Sequence, residues 1–320
     1  MAADSILTTV RQYLEFDPTD KVTLEPIKRG ASGRTIVRVK TEEYEPFIGI
    51  HWTDERADND FYPPVSHFLE KAGIHVPSIM YENLKWRVAL VEDLGDEDLL
   101  ALKGTPWETR EPYYRSAFEQ LDKLFYCRAG KTVEFNPPFD TAMYRWEQEY
   151  FFEHLMEELL RMHARELREA PEFEALAERL GGVSKHLVHR DFQSQNFLLR
   201  DEQAYWIDFQ GMRRGRQEYD LASLIHDPYL DHSEEERERL MDLWEDVAED
   251  RPAESMFRDC AIQRLMQAMG AFGNIIVNRG DDWYRQHVSA GARQLAAVVK
   301  GTEFEELLAP VLEKAAAFPA

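Results

Sequence analysis

Three polar side chains in the middle of the sequence have the types and spacing of a site that moves a phosphoryl group. Asp191 follows His189 and Arg190, and Asn196 and Asp208 come after it in the chain. An amide oxygen and a carboxylate can together hold Mg²⁺, while a second carboxylate faces an acceptor hydroxyl. We therefore expect Asn196 and Asp208 to bind the metal and Asp191 to face the acceptor.

Two short apolar runs predict how these side chains meet. Residues 197–199 and 205–207 are β-like, and a polar turn of residues 200–203 separates them. A hairpin of these strands brings Asn196, just before the first strand, close to Asp208, just after the second. Asp220 lies at the start of a predicted helix, which it could cap; alternatively, it could tie down the loop around Asp191.

A second predicted hairpin lies near the start of the chain. Residues 22–27 and 35–39 have strand-like patterns, and a turn of small residues joins them. The backbone N–H groups of such a turn can cover phosphates, although an ordinary hairpin would have the same pattern. The candidate nucleotide-binding residues of this hairpin are Gly30, Ser32, Gly33, Arg34 and Arg38.

The chain divides at an acidic, turn-rich segment, residues 92–96. Five predicted strands precede this segment, and helical spacing dominates after it. We expect residues 1–92 to form an N-terminal nucleotide-binding lobe and residues 93–320 a C-terminal catalytic and acceptor-binding lobe. Glu92, at the boundary, is a further candidate for nucleotide contact.

The charge balance limits the classes of partner. The sequence holds 60 acidic and 38 basic residues, a net charge of −22. Such a charge disfavours nucleic acid or an anionic membrane as the main partner.

The two cysteines have neither a disulfide pattern nor metal-ligand spacing. No segment resembles a signal peptide or a membrane span. We expect a cytoplasmic protein that binds a nucleotide and a small molecule, and its oligomeric state stays open.

These patterns together resemble the aminoglycoside phosphotransferase/choline kinase-like superfamily. The order His-Arg-Asp, Asn196 and then Asp208 is that of kinase catalytic loops. The other features that carry the resemblance are the arginines of the first hairpin, the acidic segment 92–96, and Gln263-Arg264 followed by Gly270 and Phe272. The chain is most similar to the branch that phosphorylates the anomeric hydroxyl of N-acetylmuramate and N-acetylglucosamine in cell-wall recycling.

The resemblance implies a bilobal, protein-kinase-like α+β fold with a small β-rich N-terminal lobe and a larger, mainly helical C-terminal lobe. It implies ATP and Mg²⁺ as cofactors. It also implies a catalytic loop in which Asp191 is the general base or the carboxylate that orients the acceptor, and in which Asn196 binds metal together with Asp208. Phosphorylation of an aminoglycoside, choline or another alcohol stays open, as does nucleotide binding without catalysis. The phosphorylated hydroxyl and the choice of ATP or GTP stay open too.

The sequence departs from the protein-kinase pattern at the third predicted strand, residues 47–52. The lysine that pairs with the α- and β-phosphates in protein kinases is missing, and His51 falls near its place. Arg34, Arg38 and His51 are the local candidates to replace it. The sequence does not choose among them.

The acceptor pocket is predicted on both sides of the catalytic loop. The helical segment after Pro138 should form one wall, and residues 226–229 another. A sugar pocket needs carboxylates that bind hydroxyl groups and an aromatic face for the ring. Glu149, Asp227 and Tyr229 meet that need, although each could equally be an ordinary helix-surface or helix-end residue.

Overall fold

The computed structural model describes residues 2–27, 33–127, 133–182, 186–248 and 251–319. Its N-terminal part is built around an antiparallel five-stranded sheet with the strand order β1-β2-β3-β5-β4. The strands are β1 (Val22–Pro26), β2 (Thr35–Thr41), β3 (Phe47–His51), β4 (Ile79–Asn83) and β5 (Val88–Glu92). The two central strands, β3 and β5, are buried along nearly their whole length.

Helix α1 (Ala2–Leu14) covers the outer face of this sheet with Ile6 and Val10, which are fully buried. The close approach depends on Gly49 in β3, because a Cβ atom there would lie 2.7 Å from Cγ2 of Ile6. Helix α2 (Tyr62–Lys71) has two prolines, Pro63 and Pro64, in its first turn. Proline suits this position because backbone N–H groups of the first turn have no hydrogen-bond partner within the helix. It packs on the inner side of the sheet.

The rest of the described chain is mainly helical. Its helices are α3 (Trp107–Tyr126), α4 (Thr141–Tyr150), α5 (Arg165–Glu169), α6 (Pro171–Leu180), α7 (Gln217–Ile225), α8 (Glu234–Ala248), α9 (Glu254–Asn274), α10 (Arg285–Val299) and α11 (Phe304–Ala316). Helices α4 and α9 continue as π-helical turns at Phe151–Leu159 and Ile275–Arg279. Within the described residues, no helix is long and apolar enough to cross a membrane.

Helix α9 is the centre of this helical part. A Cβ atom at Gly270 would lie 2.9 Å from the backbone nitrogen of Phe151, so glycine allows the two backbones to meet. The contact brings the side chains of α9 directly behind the small β-structures of the catalytic region.

Two small antiparallel pairs carry the predicted site. Strand β6 (His186–Val188) pairs with β9 (Arg213–Gly215), and β7 (Phe197–Arg200) pairs with β8 (Gln203–Trp206). The ring of Phe192 packs edge-on against Phe197 and Trp206, at centroid distances of 4.7 and 4.9 Å. The hairpin predicted from the sequence is confirmed. The division into lobes at residue 92 stays a prediction.

Candidate active site

The catalytic loop places two of its three predicted functional side chains, Asn196 and Asp208, in the lining of the cleft between the sheet and the helices, and the backbone of Asp191 contacts Asn196. The amide nitrogen of Asn196 donates to the backbone oxygen of Asp191 at 2.7 Å. The backbone N–H of Ile207, next to Asp208, donates to the backbone oxygen of Asn196 at 3.0 Å. Both Asn196 and Asp208 line the cleft.

Asp191 is surrounded by cationic groups. Its side chain is 29% exposed, and Oδ1 lies 3.5 Å from the guanidinium of Arg264. Burial by itself would raise the pKa of Asp191, but the positive charges of Arg190 and Arg264 outweigh that effect and hold the pKa below its usual range. The carboxylate is therefore ionised at neutral pH and can accept a proton.

Two buried carboxylates hold the backbone of the loop. Asp220 of α7 accepts hydrogen bonds from the N–H groups of His189 and Arg190, at 2.5 and 2.9 Å. Burial raises its pKa to about 7, although the two N–H groups oppose that shift. Asp227 accepts from the backbone N–H of Ser194 at 2.7 Å. Of the two roles left open for Asp220, the structure shows the one that ties down the loop.

Arg264 supports the loop from behind. Its guanidinium donates to Oγ of Ser223 at 2.9 Å and to Oε1 of Gln193 at 2.8 Å, and it also contacts Gln267. The side chain is only 5% exposed. The sequence motif pointed to Arg264 without giving it a role. The structure places its guanidinium 3.5 Å from the carboxylate of Asp191.

The cleft has a volume of about 610 Å³, within the usual range of ligand pockets. Its lining includes residues 92–96 and a set of apolar side chains, here called the apolar slot. These are Ile27, Ile36, Ile48, Ile50, Pro77, Val91, Leu94, Leu100, Ala101, Leu198 and Ile207. Such a slot suits a planar purine.

Two predicted nucleotide-binding residues belong to the segment of residues 92–96 or contact it. Arg38 pairs with Asp93 at 3.1 Å and with Asp96 at 3.0 Å, and these hydrogen bonds raise its pKa. Glu92 lines the cleft and pairs with Arg200. Arg38 therefore holds two of the three acidic side chains of the segment. A direct contact of either residue with nucleotide stays a prediction.

The structure separates the three candidates for the missing lysine. Side chains alternate along β3, so that Ile48 and Ile50 face the cleft while His51 points to the opposite face with Gly49. His51, which the sequence places near the lysine position, therefore faces away from the cleft. With Arg38 committed to the acidic segment, Arg34 is the candidate whose side chain faces the predicted phosphate and metal region.

Arg34 contacts the predicted metal ligand directly. Its guanidinium is paired with Asp208 and donates to Oε1 of Gln210 at 3.0 Å. Gln210 in turn donates to Oδ1 of Asp208 at 3.1 Å. Gly33, beside Arg34, has a φ of 71°, a left-handed conformation that favours glycine. Gly30 and Ser32 lie outside the described residues.

Asn196 and Asp208 are a suitable donor pair for Mg²⁺. The amide nitrogen of Asn196 is used by the backbone of Asp191, so its oxygen remains to face the cleft. Asp208 already attracts one cation, the Arg34 guanidinium. Hard oxygen donors of this kind are those that Mg²⁺ prefers.

The three predicted acceptor residues lie apart from the surface of the cleft. Glu149 is on α4 and pairs with Arg168 at 2.7 Å. Asp227 is fully buried under the catalytic loop, and Tyr229 is 4% exposed. Their roles in acceptor binding stay predictions.

The aromatic residues that do line the cleft were missed. Besides Tyr62, they are Trp283 and Tyr284, which line the cleft together with Asp281 and follow Gly280 at the end of the π-helical turn after α9. The only sequence signal was an aromatic pair directly after an acidic turn.

Comparisons with known proteins agree with this geometry. Residues 23–257 match the model of a family described as "Phosphotransferase enzyme family". An N-acetylmuramate/N-acetylglucosamine kinase of Pseudomonas aeruginosa is 26% identical over 265 residues, which cover 76% of this chain and 74% of that protein.

Solved structures show the same architecture. A choline kinase of Streptococcus pneumoniae aligns with a TM-score of 0.65 at 14% identity, over 94% of this chain and 99% of the other. A putative aminoglycoside phosphotransferase of Ralstonia eutropha aligns with a TM-score of 0.63 at 12% identity, over 99% of both chains. The expected α+β, protein-kinase-like fold is confirmed.

Proposed function

Since the chain belongs to the phosphotransferase enzyme family and is a small-molecule kinase, we propose that it phosphorylates an amino sugar with ATP and Mg²⁺. The acceptor group would be the anomeric hydroxyl of N-acetylglucosamine or N-acetylmuramate. The observation that carries the proposal is the pair of Asn196 and Asp208 in the lining of the cleft, with the ionised Asp191 joined to Asn196 through its backbone oxygen.

The reaction follows from these positions. The acceptor oxygen forms a bond to the γ-phosphorus while the bond from that phosphorus to the bridging β–γ oxygen breaks, and ADP leaves. The hydroxyl proton passes to the Asp191 carboxylate. Asn196 and Asp208 would hold Mg²⁺, which would supply charge neutralisation at the phosphates when bound. The protein contributes mainly position and charge, because the transition state of phosphoryl transfer is loose.

Arg34 takes over the role of the missing lysine in this proposal. It lies in the cleft beside Asp208, whereas Arg38 and His51 point elsewhere. Arg34 would bind the phosphates, a role that suits a guanidinium because it can donate through two N–H groups at once. The turn of residues 30–34 would cover the same phosphates.

The adenine ring would occupy the apolar slot, next to residues 92–96. Its edge would meet backbone groups of that segment, with Glu92 at the rim. A reaction that consumes ATP also favours the cytoplasm as the place of action.

The amino-sugar acceptor is supported by the Pseudomonas relative, which is named as an N-acetylmuramate/N-acetylglucosamine kinase. A second candidate, an aminoglycoside or an alcohol such as choline, is favoured by the acidic side chains of the cleft, among them Asp98 and Asp281. Carboxylates attract cationic acceptors. Nucleotide binding without catalysis is disfavoured, since Asp191, Asn196 and Asp208 are all present and brought together.

A panel of acceptors tests the proposal. The purified protein is incubated with ATP and Mg²⁺ and with N-acetylglucosamine, N-acetylmuramate, gentamicin or choline, and mass shifts are read for each. We expect a phosphate adduct on one or both sugars. Adducts on gentamicin or choline alone would reject the sugar, and metal-dependent binding of ATP without any adduct would reject catalysis.

A further inference from the structure

The segment after Gly280 forms an aromatic surface inside the cleft. Asp281, Trp283 and Tyr284 line the same cavity as Asn196 and Asp208. Trp283 is 42% exposed. A large apolar side chain held open to solvent inside a cavity contributes little to the fold, so its open face is available for a ligand.

The indole of Trp283 is held by neighbouring rings. Its centroid lies 4.5 Å from that of His287 and 5.9 Å from that of Tyr229, with the Tyr229 plane inclined by only 26°. Asp281 accepts a hydrogen bond from the Trp283 backbone at 3.1 Å. The ring therefore keeps one orientation without a ligand. A ligand that stacks on it binds without the entropy cost of ordering the indole.

The aromatic surface is connected to the catalytic loop through few contacts. Tyr229, under Trp283, donates its backbone N–H to Asp227 at 2.8 Å. The other oxygen of Asp227 accepts from Ser194 in the catalytic loop at 2.7 Å. This short chain of contacts fixes the position of the indole relative to Asp191.

The charge near this surface favours hydroxyl groups over phosphates. Asp281 contributes a carboxylate to the lining of the cleft beside Trp283. Burial raises the pKa of the neighbouring Tyr284, and the negative charges of Asp281 and Asp208 act in the same direction. A carboxylate repels phosphate oxygens, whereas hydroxyl groups can donate hydrogen bonds to it.

We propose that Trp283 is the platform for the acceptor, against which the apolar face of a pyranose ring stacks while Asp281 accepts from its hydroxyl groups. This inference rests on the proposed function, since it assigns the sugar subsite of the same cleft. Tryptophan suits this task because its large flat face buries C–H groups of a ring.

Replacement of Trp283 tests the platform. Trp283→Ala should raise the KM for N-acetylglucosamine about tenfold, which corresponds to a stacking contact of about 1.4 kcal/mol. The KM for ATP should not change, which also shows that the variant is folded. Trp283→Phe keeps an aromatic face and should restore most of the affinity for the sugar.

Trp86 provides a matched control. It is 43% exposed, close to the value for Trp283, but lies in the turn between β4 and β5 and not in the cleft. Trp86→Ala should leave both KM values unchanged.

The outcomes separate the two proposals. If the wild type phosphorylates the sugar and Trp283→Ala keeps its KM, or raises the KM for ATP instead, the platform is rejected and the kinase proposal stands. If the wild type phosphorylates choline and neither sugar, the sugar acceptor and the platform for a sugar ring are both rejected.

Discussion

The catalytic loop and the aromatic platform lie in one cleft but are positioned by different kinds of contact. The loop is held by hydrogen bonds of three buried side chains. Asp220 of α7 and Asp227 accept from backbone N–H groups of the loop, and Arg264 of α9 donates to Gln193. The platform is held by stacked rings around Tyr229 and a single capped turn. Hydrogen bonds fix reacting atoms in direction and distance, whereas stacked rings fix a plane and tolerate different ligand shapes. We infer that the reaction is determined at the loop and the acceptor is selected at the platform.

The largest effect is expected at Asp191. Asp191→Asn removes the proton acceptor and should lower kcat by about 10³-fold, within the range of general-base catalysis. The affinity for ATP with Mg²⁺, measured by calorimetry, should stay the same. Asp201→Asn, in the exposed β7–β8 turn, is the control and should behave as wild type. Turnover near the wild-type rate would remove Asp191 from the mechanism.

The next largest effect is expected from Arg264. Arg264→Met removes the group that joins Asp191 to Gln193 and Ser223. A misplaced carboxylate should lower kcat about 10²-fold with little change in either KM. Arg264→Lys keeps the charge and should recover part of the rate.

A second buried arginine controls for stability. Arg110 is 7% exposed and pairs with Glu236 at 2.7 Å, between α3 and α8. Arg110→Met should lower the melting temperature but leave kcat unchanged. Equal losses of kcat in the two methionine variants would show that Arg264 acts only through stability.

A smaller effect is expected at the metal ligand. Asp208→Ala should weaken ATP binding about tenfold in the presence of Mg²⁺, because a charge-assisted contact is lost. In EDTA the same variant should bind ATP as wild type does, or slightly better, since a carboxylate near the phosphates is gone. An equal loss with and without metal would make Asp208 a structural residue.

The catalytic loop could be predicted because its information is local. Asn196 and Asp208 flank one short hairpin, and two strands with a turn between them bring these residues together whatever the rest of the chain does. The sequence left His51 open as a replacement for the lysine because successive side chains of a strand lie on opposite faces, so that a shift of one position moves a side chain from the cleft to the α1 side.

The platform could not be predicted because its residues meet through tertiary packing. Trp283 and Tyr229 lie far apart in sequence, and α9 with α10 brings them together. Asp227 had the side-chain type of a sugar ligand, but the sequence cannot show that backbone N–H groups of Ser194 and Tyr229 occupy its oxygens.

The smallest effect is expected from the histidines beside the platform. Burial lowers the pKa of His226 to about 3 and that of His287 to about 4. In the unfolded chain they take up protons near pH 6.5. The unfolded state therefore binds more protons below that pH, and stability should be complete above about pH 6.5 and fall as the pH decreases toward 4.

Melting curves at pH 7.5 and pH 5 test this loss. His287→Gln should reduce the difference between the two melting temperatures by a few degrees, about 2–4 °C. His67 is about half exposed and provides the control, so His67→Gln should keep the wild-type difference. If the melting temperature of His287→Gln falls between pH 7.5 and pH 5 as much as that of the wild type, His287 is not a source of the acid sensitivity.

The central claim is that Asp191 directs transfer to the anomeric hydroxyl of an amino sugar. The most direct test is a proton-coupled ³¹P NMR spectrum of N-acetylglucosamine, ATP and Mg²⁺ with the wild type and with Asp191→Asn. We predict ADP and a sugar phosphate whose phosphorus signal is split by the anomeric proton, identified by its own ¹H resonance, with the wild type alone. A signal split by two equivalent protons, from phosphate on the exocyclic carbon, would contradict the claim, and so would the same product from Asp191→Asn at the wild-type rate.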